Sequence, residues 1–155
     1  MIDWVFIAIA VAFGGDDAGG GEPPAQDAVF LAEPQTPSGK FTTATEVKPI
    51  LGMTKGNWVA VREYDGQDLL YFTHLLSWRC GLHQIRYSLN GGPVQVWPMP
   101  PCLDGTSMPN AIRTEDGMPY IAQPLGSIGS VRVELLYDDL SEESAEFSRS
   151  DVLMP

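Results

Sequence analysis

The sequence predicts a mainly β fold: a small antiparallel β-sandwich or barrel-like meander with one short N-terminal helix. Three observations carry that reading. Glycine and proline are abundant, 16 and 13 of 155 residues, and they fall as punctuation at Asp65-Gly66, Asn90-Gly91-Gly92, Asp104-Gly105 and Asp116-Gly117. The segments between these turn signals are short and many alternate apolar with polar side chains, the period of a half-buried strand. One stretch, Thr43 to Glu46, has capping-box spacing, in which a hydroxyl and a carboxylate three residues apart satisfy orphan amides at a helix start.

The chain opens on an uninterrupted apolar run over residues 4–13. As a helix this run reaches about 15 Å, half of a bilayer core, so no stable membrane span is expected. Its length suits the hydrophobic region of a signal peptide, and Gly14, Gly15, Ala18, Gly19 and Gly20 supply the small residues that follow one. Residues 1–14 are therefore expected to be a signal peptide, which places the protein in the periplasm or outside the cell. Met1-Ile2-Asp3 lacks a basic start, and an uncleaved hydrophobic tail or a buried first strand are the alternatives. Residues 15–40 are rich in Gly, Pro and acids and read as a flexible linker. Its apolar patch at Val29, Phe30 and Leu31 is expected to dock on the domain, which begins at 41 and runs to 155.

Within that domain the capped helix should cover about 45–53, with Val47, Ile50 and Leu51 inward and Pro49 limiting it to a turn or two. Residues 58–64 then make a strand, Asp65-Gly66 turns the chain, and 69–78 return it as a central strand. On that return Leu70, Phe72, His74, Leu76 and Trp78 share one face. Residues 83–89 alternate with Ile85, Tyr87 and Leu89 inward, and Asn90-Gly91 reverses them into 93–97. A long loop from 98 to 119 follows, then strands at 120–125 and 131–137, the latter with Val131, Val133, Leu135 and Tyr137 inward. Residues 145–148 pair back against it.

Charge narrows the partners. With 9 basic against 20 acidic residues the formal charge is −11, which repels phosphate backbones, so no nucleic-acid partner is expected. Cys80 and Cys102 are the only cysteines, and in an oxidising compartment they should form a disulfide. The competing reading is a metal site of His74, Cys80, His83 and Cys102, a Cys₂His₂ set lacking the second closely spaced pair of usual zinc sites. No catalytic residue and no cofactor are expected. The acidic stretch 138–143 lacks calcium-loop geometry and reads as a solvated turn, as do the carboxylates Asp65 and Asp68. Residues 126–130, Gly-Ser-Ile-Gly-Ser, resemble an anion cradle but precede a strand and lack a lysine, so they read as a turn. Trp58, Trp78, Trp97, Tyr64, Tyr71, Tyr87 and Arg79 could form an aromatic ligand surface, but aromatics on sandwich strands are mostly core. The best binding surface is Trp97, Pro98, Met99, Pro100 and Pro101, a stiff apolar strip pinned by the disulfide. The resulting expectation is a non-catalytic accessory module meeting an unidentified protein partner, with a metal-binding or enzymatic module as the alternative.

Overall fold

Thr43 starts the first helix: its side chain accepts from the Glu46 amide, and its hydroxyl donates to Glu46 Oε1 at 2.9 Å. The computed structural model describes residues 29–155; the proposed signal peptide and the linker up to residue 28 lie outside the described residues. Helix α1 spans Ala44–Met53, ten residues, and so runs past the turn or two that Pro49 was expected to allow. Both Pro49 and Thr45 are exposed, so the Thr45 carbonyl that loses its amide partner faces water. Val47 and Leu51 are buried, and Ile50 is half-buried.

Seven strands follow: β1 Ala60–Tyr64, β2 Gln67–Tyr71, β3 Leu82–Leu89, β4 Gln95–Val96, β5 Tyr120–Pro124, β6 Ser130–Tyr137 and β7 Glu142–Ser148. They form two antiparallel sheets, ordered β1-β2-β5 and β4-β3-β6-β7, with no closed barrel among the described residues. Asp65 and Gly66 both take positive φ, as do Asn90 and Gly91, the backbone that two-residue hairpin turns require. On β6 the alternating set Val131, Val133, Leu135 and Tyr137 is buried as its pattern predicts. These side chains join Val61 and Leu70 of the smaller sheet and Val47 and Leu51 of α1 in one core.

The expected long strand over 69–78 is corrected by the structure. Pairing stops at Tyr71, opposite Tyr120, and the Phe72 amide donates to the Pro119 carbonyl at 2.8 Å. With no partner strand beyond that point, the chain satisfies its own carbonyls by coiling into α2, Thr73–Leu76. Phe72, Leu75 and Leu76 stay buried because their spacing also fits one helical face. His74 therefore leaves the strand face assigned to it. A 3₁₀ turn over Arg79–Gly81 leads into β3, and α3, Arg149–Val152, closes the described chain.

Asp68 joins the two sheets. It is 0% exposed, contrary to the solvated-turn reading, and its carboxylate accepts from the Gly126 amide at 3.0 Å and the Ile128 amide at 3.1 Å. The 126–130 turn thus wraps a carboxylate belonging to the protein itself. Arg149 completes the site, bonding Asp68 through both terminal nitrogens at 2.6 and 3.0 Å. Its guanidinium, foremost, holds the Asp68 carboxyl far below the usual carboxylate range.

Candidate functional site

The loop from 98 to 119 is irregular in backbone but tied down at many points. Cys80 and Cys102 form a disulfide with 5.0 Å between Cα atoms, closing 22 residues. Beside it lies Arg79, 1% exposed, whose guanidinium donates to carbonyls instead of a carboxylate. Nε reaches the Pro100 and Pro101 carbonyls, both at 3.2 Å. Nη1 reaches Leu76 at 3.1 Å and Asn110 at 2.8 Å, and Nη2 reaches Pro101 at 3.0 Å and Ala111 at 2.8 Å. Asn110 adds a clamp: its Oδ1 accepts from the Cys80 amide, while its Nδ2 donates to the Lys40 and Phe41 carbonyls. A fully charged, carbonyl-solvated guanidinium thus takes the place that strand pairing fills elsewhere.

An open cleft of about 610 Å³ runs along this loop. Met99, Pro100, Pro101, Cys102 and Asp104 line one side, Glu33, Pro34 and Thr36 another, with Thr42, Thr43, His83 and Asp138 between them. The upstream segment reaches the cleft through specific bonds. Phe30 stacks on His83 at 4.9 Å between centroids, and His83 Nε2 donates to the Leu31 carbonyl at 2.8 Å. The Glu33 amide donates to the Asp138 carbonyl, and Gln35 Nε2 to Asp138 Oδ1 at 2.9 Å. Asp138 Oδ1 also accepts from the Ala44 amide at the start of α1, at 2.7 Å. Asp138 is 4% exposed, and that burial pushes its carboxyl up against the pull of Gln35, Ala44 and His83. Carboxylates, hydroxyls, prolines and Met99 line the cleft beside His83 and Arg79, an arrangement that offers hydrogen-bond acceptors and apolar contact.

No known family, curated protein or solved structure matches this chain. What it can do rests on the placement of its residues.

That placement separates the expected surface strip. Trp97 is withdrawn into the core, 4% exposed and stacked on Phe72 at 4.3 Å, so it offers no surface. Met99 and Pro100 are half-buried, whereas Pro98 and Pro101 are exposed. Farther along the same loop Met108, Ile112 and Met118 are exposed, a set the sequence reading did not single out.

The four-ligand alternative does not assemble. Both sulfurs are spent in the disulfide, and no group of three or more possible metal ligands comes together among the described residues. His74 sits on α2 against Thr54. The single Thr54 hydroxyl proton goes to the Ile50 carbonyl, so His74 Nε2 donates to Thr54 Oγ1 at 2.9 Å. Burial lowers the His74 pKa, which favours that neutral ring. Arg79, Asn110 and Asp138 are the residues that organise the site and that the sequence reading missed. The sequence pattern places Asp138 in a solvated turn, whereas the structure buries it. The turn itself is formed by Asp139, whose carboxylate accepts from the Ser141 amide and hydroxyl.

Proposed function

We propose that this protein is a non-catalytic interaction module of an oxidising, extracytoplasmic compartment, and that its 98–118 loop meets a protein partner. One observation carries the reading. The loop's backbone is fixed by the Arg79 carbonyl net and the disulfide, while Pro98, Pro101, Met108, Ile112 and Met118 are turned to solvent. A surface ordered before binding loses little conformational freedom on association, and methionine is enriched where such surfaces meet protein. The disulfide and the apolar run at 4–13 support the compartment.

Site-specific photo-crosslinking in cells of the source organism tests this. A photoreactive residue at Met108 or Met118 should give a discrete adduct with one protein, and one at Glu146 on the edge strand β7 should not. Adducts of equal yield at all three positions, or none at the loop, would remove the reading.

A further inference from the structure

We infer that the cleft between the 99–104 loop and the 33–36 segment is a receptor for a single basic side chain, an arginine or lysine, presented by the protein partner. The inference rests on the interaction-module reading above and deepens it. Asp138 is its centre. One carboxylate oxygen, Oδ1, takes both the Ala44 and Gln35 donors, and Oδ2 receives no hydrogen bond from any described residue. The residue is 4% exposed yet lines the cleft, and among the described residues the fully enclosed side-chain polar atoms without partners are the indole nitrogens of Trp78 and Trp97, not Asp138 Oδ2. Oδ2 therefore meets the cleft rather than the interior. A carboxylate buried to this degree with one oxygen unmet is completed by a cation that brings its own donors.

No lysine or arginine of the protein supplies that cation, and His83, the imidazole in the cleft, spends Nε2 on the Leu31 carbonyl. No lysine lines the cleft, and the one arginine there, Arg79, spends its donors on carbonyls. Lys48, Lys55, Arg86, Arg113, Arg132 and Arg149 are each engaged in ion pairs elsewhere. Lys40 reaches the Thr106 carbonyl, Arg62 lies over the Tyr64 ring, and no Lys or Arg precedes residue 40. A bare metal ion fits poorly, because Glu33, Asp104, Asp138 and His83 do not converge as a ligand set. Carboxylates spread along an open cleft beside prolines and Met99 suit an extended organic cation, with its stem on the apolar wall and its head at Asp138.

The test titrates the oxidised full chain with Nα-acetyl-arginine methylamide, with the lysine analogue, and with the neutral citrulline analogue, followed by ¹H–¹⁵N correlation spectra. Saturable shifts confined to the amides of Gln35, His83, Cys102, Asp104 and Asp138 are expected from arginine or lysine and not from citrulline. The stronger of the two cations identifies the side chain. Asp138→Asn keeps an oxygen for the Ala44 amide and should weaken binding about tenfold. Asp104→Asn, on an exposed residue, should weaken it less and serves if the first variant does not fold. Shifts scattered over the acidic surface, equal binding of citrulline, or unchanged affinity in both variants would overturn the inference. Crosslinks at Met108 without cleft shifts would sink the cleft alone; cleft shifts without crosslinks would sink the partner reading alone.

Discussion

Replacing Arg79 with methionine should destabilise the protein mainly through its loop. The substitution keeps most of the buried stem and removes the six bonds that the guanidinium makes to five carbonyls. Each bond to a charged group contributes about 1.5–3 kcal/mol net, and a carbonyl left buried without a donor costs about 1–3 kcal/mol. The full sum does not apply. Removing the charge also removes its desolvation cost, the burial that lowers the Arg79 pKa, and carbonyls at the loop surface can turn to water. The Leu76 carbonyl lies in a buried bond and cannot. The balance is a loss of about 3 kcal/mol, or a Tm lower by about 10 °C for a chain of this size. Urea unfolding followed by tryptophan emission measures it, since Trp78 and Trp97 flank the loop. Hydrogen exchange over 98–113 should quicken more than over β6. A loss under about 0.5 kcal/mol with unchanged exchange would show that the disulfide alone orders the loop and that the carbonyl net is incidental.

Three further outcomes are expected. The Cys80→Ser, Cys102→Ser double variant should lose about 3 kcal/mol, the loop-closure entropy of a 22-residue ring, and dithiothreitol should reproduce the loss in denaturant titrations of the parent. Gly81→Ala should lose about 2 kcal/mol, because a Cβ there would collide with Val47 Cγ2 and meet the Thr43 carbonyl oxygen at 2.8 Å, prising α1 from the 79–81 turn; thermal melts read it directly. Stability should fall as pH drops below about 4: the folded-state pKa of Asp68 is depressed, so its contribution is full above the unfolded value of about 3.9 and disappears on acidification. Asp139 acts in the same direction; burial opposes its charge, yet Ser141 and Lys48 hold it at about 2. Asp68→Asn should be less stable at pH 7 and show a flatter acid limb in urea midpoints measured from pH 2 to 7.

The two hairpin turns, the helix cap and the inward set of β6 were legible because each is written in neighbouring residues: a Gly with positive φ, a hydroxyl three places before a carboxylate, an alternation of period two. The strand expected through 72–78 failed because that run is apolar on both faces and fits either period; the end of its partner strand at Pro119 decided it. Long-range placement was beyond local pattern. Nothing near Arg79 distinguishes a core guanidinium from a surface one, since its five carbonyl partners come from segments up to 32 residues away. Asp138 and Asp139 are adjacent acids in one hairpin, and only the arrival of α1 and Gln35 buries the first and leaves the second half-exposed. The disulfide was readable from an even count of cysteines taken together with the expected export, and the bond occupies both sulfurs that the metal alternative needed.

The lock around Asp68 has a consequence for the rates at which this protein opens and closes. Its partners come from positions 58, 60 and 81 residues downstream, so the cluster closes only after those 81 residues have collapsed onto the first hairpin. Because that loop closure must precede it, the cluster is expected to form late, on the native side of the folding barrier. Its loss should leave refolding nearly unchanged and accelerate unfolding by almost the whole of the lost stability. The ion pair thus acts as a catch on the finished fold: it prolongs the life of the native state and shortens the time for which an open form meets a protease.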